Sequence, residues 1–161
     1  MRKLLTLLLL AACGWTPARR EADIVRARTH DIYIAPISGT TGIDLRNFLT
    51  QAWSAAGTPG ARYELSVRLG GATTIYKALD RRGNSQWEEI RVNASWKLSD
   101  NGNKIAESSE SASESYPVVS DLVAADASRS TAIQNAIRQI GMKIESKVNA
   151  KLKDMIKYEG E

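Results

Sequence analysis

Reactive side chains are scarce in this chain. It has one cysteine, Cys13, and one histidine, His30, among 161 residues. Those counts exclude the usual Cys/His zinc sites, and a Ser, His, Asp triad would have to recruit His30 from a polar N-terminal stretch. His30 reads instead as a solvated residue at a strand entrance. A lone cysteine cannot form an internal disulfide, so the folded part must be held by its core. Long apolar runs are also missing: beyond the first dozen residues no stretch approaches the roughly 20 helical residues that a hydrocarbon core requires.

What is present at the start has a clear pattern. Met1, Arg2 and Lys3 precede a leucine-rich run from Leu4 to Leu10, then Ala11, Ala12 and Cys13. A charged start, a short apolar segment and small residues before a cleavage point make a secretory signal over residues 1–12. Leu10 to Cys13 resembles the lipobox of bacterial lipoproteins, so Cys13 is the expected lipidation site and the new N-terminus. Acylation by several chains gives a lasting anchor where one would not. Gly14, in place of the aspartate that retains lipoproteins in the inner membrane of enteric bacteria, allows sorting to the outer membrane. Removal of twelve of the 161 residues leaves 149, one domain's worth, and without Arg2 and Lys3 the formal charge of +4 falls to +2. That balance gives little support to nucleic acid as a partner.

Residues 13–30 read as a polar, basic tether, residues 31–157 as one globular domain, and residues 158–161 as a tail. Within the domain, Ile32 and Ile34 share one face of a strand running from Asp31 to Ile37. Leu45, Phe48, Leu49, Ala52 and Ala56 recur at helical spacing, with Thr41 or Asp44 as a cap and Gly57 as a stop. Tyr63, Leu65, Val67 and Leu69 alternate with polar residues, as do Ile90, Val92, Ala94, Trp96 and Leu98, the pattern of strands with one buried face. Gly70 and Gly71 predict a bulge or break before Ile75 to Leu79. Asp100 to Asn103 is a hairpin signal, followed by an exposed edge strand ending at Pro117. Ile133, Ile137, Ile140, Ile144, Val148, Leu152 and Met155 then mark one long amphipathic helix whose continuity at Gly141 is open. The expected architecture is α+β: a two-layer sandwich of a four-stranded, mostly antiparallel sheet with two helices on one face.

Catalytic and metal-binding constellations do not emerge from this pattern. Glu88, Glu89, Glu107, Glu110 and Glu114 fall on strand positions expected to be exposed, where they would serve as solubilising charges. The run Gly39, Thr40, Thr41, Gly42 leads into a helix but lacks the lysine and spacing of a phosphate-binding loop. The basic residues are more informative. Arg81 and Arg82 lie at a hairpin tip, and Arg91 and Lys97 on the polar face of the next strand. Their guanidinium and ammonium groups suit the phosphates and carboxylates abundant on lipopolysaccharide, which makes these four the binding candidates.

From Cys13 to about Leu152 the chain resembles the outer-membrane lipopolysaccharide-assembly lipoproteins of the LptE type. The resemblance rests on Cys13, Gly14, Trp15, on Leu45, Arg46, Asn47 opening a helix, on Tyr63 to Val67, on Arg91 to Leu98, and on an Ala- and Ile-rich C-terminal helix, all in the same order. The segment Thr16, Pro17, Ala18, Arg19 departs from the family pattern. The resemblance implies a non-enzymatic subunit that partners a large LptD-like β-barrel translocon, helps it assemble, binds lipopolysaccharide and carries no cofactor beyond the covalent lipid. A small periplasm-facing lipoprotein that regulates another protein, such as an activator of a cell-wall synthase, is the alternative that the same signal and fold would serve.

Overall fold

A computed structural model of the chain describes residues 17–79 and 81–159. Cys13, Trp15 and the signal segment lie outside the described residues. In chain order the elements are helix α1 (Pro17–His30), strand β1 (Ile32–Ile34), helix α2 (Thr40–Trp53), strands β2 (Tyr63–Leu69), β3 (Thr73–Leu79), β4 (Ser85–Asp100) and β5 (Asn103–Pro117), and helix α3 (Leu122–Glu159).

The sheet is built around β4. Its alternation buries Ile90, Val92, Ala94, Trp96 and Leu98 and exposes Arg91, Asn93, Ser95 and Lys97, as period-two side-chain placement requires. One edge of β4 pairs with β5 from Trp87 to Asp100. The other edge pairs with β2 from Ala94 to Asp100 and with β3 from Ser85 to Arg91. β2 and β3 therefore lie end to end, separated by the break at Gly70 and Gly71. The sheet holds five strands rather than four because that break splits one edge in two. In cross-section it is still four strands wide, with β1 parallel to β2 and every other pairing antiparallel. The β4–β5 turn places Asn101 and Gly102 at φ 48° and 81°, the left-handed region that two-residue hairpins demand.

Helices cover one face. α3 packs across β4 and β5, and α2 packs against α3. The predicted stripe is the one that is used: Ile140, Ile144, Val148 and Leu152 are fully buried, Ile137 nearly so, and Ile133 and Met155 flank them. Each such side chain contributes about 1.5–3 kcal/mol relative to exposure. The helix is continuous through Gly141 over 38 residues, about 57 Å at 1.5 Å per residue. Asp121 caps its start, accepting from the Ala124 N–H at 2.9 Å.

Four details differ from the sequence reading. Residues 17–30, expected as a tether, form α1, which lies against α3 with Glu21 3.4 Å from Lys153. The domain thus begins earlier than residue 31, and α3 extends through Tyr158 and Glu159 into the expected tail. β1 is shorter than Asp31 to Ile37, because Pro36 lacks the N–H to continue the ladder. Neither Thr41 nor Asp44 caps α2, and Gly57 does not end it; Ser54 in the left-handed conformation does. Gly57 instead passes so close to the Ile32 backbone that a Cβ could not fit.

Gly141 has a similar role in the helical layer. A Cβ there would run into the Phe48 ring, so the glycine sets how closely α2 approaches α3. Helix propensity alone would make Gly141→Ala stabilising by about 1 kcal/mol. The expected outcome is the opposite, a loss of about 1–3 kcal/mol from overpacking, read by urea denaturation. A gain in stability would contradict this packing.

Candidate functional site

Among the described residues no group of three or more His, Cys, Asp or Glu side chains could hold a metal ion. His30 ends α1, exposed, with Nδ1 3.3 Å from Asp31 Oδ1. The carboxylates are placed differently from expectation. Glu110 and Glu89 are buried, Glu88 and Glu114 partly so, and Glu107 alone of the five is exposed. Glu89 lies on the open face of β4 beneath Lys77 and Arg91; for Glu110 and Glu114 the reason lies in β5, whose inward residues include Ser108, Glu110, Ala112 and Glu114. These weakly apolar positions are roofed by polar side chains from α3.

Lys147 reaches Glu110 Oε1 at 2.7 Å and donates to Ser108 Oγ at 3.0 Å. The Trp96 indole N–H donates to the same Glu110 oxygen at 3.1 Å. Further along, Gln139 donates to Glu114 at 3.0 Å, and Tyr116 donates its hydroxyl proton to Glu88 at 2.5 Å. Burial disfavours the Glu110 charge, yet bonds from Lys147, Trp96 and Ser108 outweigh it and hold the carboxyl below its ordinary 4.5. Burial and the bond to Glu88 push the Tyr116 hydroxyl up to about 12. The Glu110 and Glu114 contacts tie sheet to helix, and the Tyr116 bond ties β5 to β4. Because the folded Glu110 value is depressed, its contribution is present above 4.5 and is lost as pH falls through the folded value. Acid should therefore lower the urea midpoint of the natural protein more steeply below pH 4.5 than that of Glu110→Gln. Parallel curves would refute the tie.

The surfaces that face solvent are of two kinds. One end of the domain, formed by the β3–β4 turn, the end of β5 and the start of α3, is both apolar and basic. Tyr76, Leu79, Trp87, Val119, Leu122 and Val123 are all exposed there, Leu122 at 87% and Tyr76 at 68%. Register sets their backbones at this one end: Trp87, on the open face, stands opposite Ala78 on one side and Pro117 on the other, Val118 N–H donates to Gln86 O at 2.9 Å, and Tyr76 stands opposite Glu88 on the helix-side face. Arg81 and Arg82 occupy the exposed turn between them. Exposed apolar groups gathered at one place mark an interaction site.

The second surface is the open sheet face, lined by Arg68, Arg91, Lys97 and the serines of β5. Arg91 and Lys97 are six residues apart on β4, about 20 Å at 3.3 Å per residue. The structure thus brings Arg81 and Arg82 together but separates Arg91 and Lys97 from them and from each other. Arg91 is engaged, donating to Glu89 at 2.9 Å. Sequence reasoning missed the exposed apolar set. Its signal was Tyr76, Leu79 and Trp87 near a hairpin tip, beyond the reach of either helix's predicted stripe.

An α+β sandwich with one helix-covered face, one polar open face and an amphipathic end has the form of a binding and assembly module. The chain belongs to the LptE lipopolysaccharide-assembly family, whose pattern matches residues 29–148. No curated protein matches it by sequence. Among solved structures it is similar to a chain from Caulobacter crescentus described as a lipoprotein, at 21% identity and TM-score 0.66 over 82% of this chain and 97% of that one. The rare lipoprotein B from Shewanella oneidensis aligns at 9% identity and TM-score 0.63, covering 77% of this chain and 97% of its own. A minor lipoprotein from Acinetobacter baumannii aligns at 16% identity and TM-score 0.55, covering 75% and 92%. At these identities the structures speak for the fold; the family match carries the assignment to lipopolysaccharide assembly.

Proposed function

We propose that this chain is an outer-membrane lipoprotein, exported by its signal segment and anchored through lipid on Cys13, that partners a large β-barrel translocon, assists its assembly and binds lipopolysaccharide at the β3–β4 end. The carrying observation is the pairing of Arg81 and Arg82 with the exposed Tyr76, Leu79, Trp87, Leu122 and Val123. Lipopolysaccharide joins phosphates to acyl chains, so a ligand of that class needs cations and apolar surface side by side. The open sheet face, studded with serines and charges, suits the polar lumen of a large barrel. The role is non-catalytic: binding and placement are what these surfaces offer.

Purification of the tagged protein in mild detergent should recover a stoichiometric, much larger outer-membrane β-barrel. Recovery of a peptidoglycan synthase, or of nothing, would defeat the translocon reading and favour a regulator. Lipopolysaccharide affinity should fall about tenfold or more on replacing Arg81 and Arg82 with glutamine, since two charge-assisted bonds are lost at about 1.5–3 kcal/mol each. Unchanged affinity would remove the tip from the account. Radiolabelled palmitate should enter the natural protein and not Cys13→Ser.

A further inference from the structure

Most cations on and around the open sheet face are already matched. Arg91 and Lys77 share Glu89, at 2.9 and 2.8 Å. Lys104 holds Glu107 at 2.7 Å, and Arg62 holds Asp100 through two bonds of 2.9 and 3.0 Å. Arg68 on β2 and Lys97 on β4 are different: among the described residues neither has a carboxylate at ion-pair distance. Two like charges have been left unmatched on a face where their neighbours are neutralised.

Register places these two side by side. Arg68 stands opposite Ser95 and Lys97 opposite Ser66. They are therefore diagonal neighbours on one face, about 7–8 Å apart at the backbone, within reach of each other's long side chains. Ser66 and Ser95 complete the rectangle, and all four line a shallow groove of about 360 Å³ whose far rim is Glu107. Glu107 stands directly opposite Lys97 in the β4–β5 register, but its Oε1 is held by Lys104 at 2.7 Å and among the described residues it forms no ion pair with Lys97.

We propose that this groove is an anion site for a phosphate group, bound by the Arg68 guanidinium and the Lys97 ammonium with the Ser95 hydroxyl as a further donor, the Ser66 hydroxyl already donating to the Lys97 carbonyl at 3.5 Å. Two cations match the charge of about −1.5 to −2 on a phosphate monoester at neutral pH better than the single charge of a carboxylate. Arginine supplies a planar fork for two phosphate oxygens, and lysine a point charge for a third. The site is distinct from the tip: Lys97 lies twelve residues beyond Ser85 on β4, about 40 Å at 3.3 Å per residue. A single headgroup cannot touch both, so the open face offers a second station for a phosphorylated ligand.

The source of the phosphate rests on the function proposed above, whereas the site itself does not, and the test separates them. Full-length protein in neutral detergent micelles is titrated with inorganic pyrophosphate and, separately, with purified lipopolysaccharide, following amide resonances by NMR. Pyrophosphate should shift the amides of residues 66–68 and 95–97, and Arg68→Gln/Lys97→Gln, two exposed changes that leave the core untouched, should weaken that response at least tenfold. No shift at these amides, or an equal shift in the double variant, overturns the site. If pyrophosphate binds and the double variant also loses lipopolysaccharide affinity, lipopolysaccharide is the source. If pyrophosphate binds and lipopolysaccharide affinity is unchanged, the site stands and takes a smaller phosphate. Failure of the unmodified protein to bind lipopolysaccharide at all counts against the proposed function and leaves the pyrophosphate result to decide the groove.

Discussion

The packing of α3 across β4 and β5 is the contact on which the rest of this domain depends. Helix α3 spans 38 residues, and like most helices in proteins it draws its stability chiefly from packing its amphipathic face rather than from propensity. Laid over the sheet, it buries Ile140, Ile144, Val148 and Leu152 against Val92, Trp96 and Leu98 in one continuous core. Because one side of the sheet is consumed in this way, the other side is left to solvent. The same contact spaces the ends of the domain, with Leu122 at the amphipathic tip and Lys153 beside Glu21 near the start of α1. Residue 17 begins α1, four positions after Cys13, so a lipid on that cysteine would hold the α1 side of the molecule to the membrane.

Helix α3 also makes a polar contact that the apolar stripe does not foreshadow. The inner face of β5 carries serine, alanine and glutamate where β4 carries isoleucine, valine and tryptophan. Lys147, Gln139 and Lys143 reach over that face to Glu110, Glu114 and the Ser111 carbonyl. Buried ion pairs contribute little net stability when desolvation is counted, but removing one partner strands a charge. These contacts add to the burial of Ala112 and Tyr116 in fixing β5 beneath the helix.

The legibility of the sequence follows from that division. β2, β4 and the α3 stripe were readable because one buried face imposes a period, two or 3.6, on apolar residues. The carboxylates of β5 were misplaced because partial burial of Glu110 and Glu114 depends on lysine and glutamine side chains supplied by a helix more than twenty residues later. α1 was hidden for a related reason: of its aliphatics from residue 21 on, only Ile24 and Val25 are partly buried, and Glu21 adds an ion pair with Lys153. Of the four basic candidates, Arg81 and Arg82 proved to sit together, since adjacent residues on a turn cannot be separated. Arg91 and Lys97 were grouped with them by chemistry, and strand geometry divides them. Arg68, the partner Lys97 does meet, lies on another strand and only register reveals it.

Lipopolysaccharide binding is proposed for the amphipathic end at the β3–β4 turn. It is tested most directly by photo-crosslinking in a Gram-negative cell that makes the protein, with a photoreactive side chain placed in turn at Leu79, Trp87 and Leu122, and at the exposed Ser146 of α3 as a reference. Lipopolysaccharide adducts at the three tip positions and none at Ser146 are predicted. Adducts at Ser146 alone, or none at any tip position while the protein is correctly anchored, would contradict it.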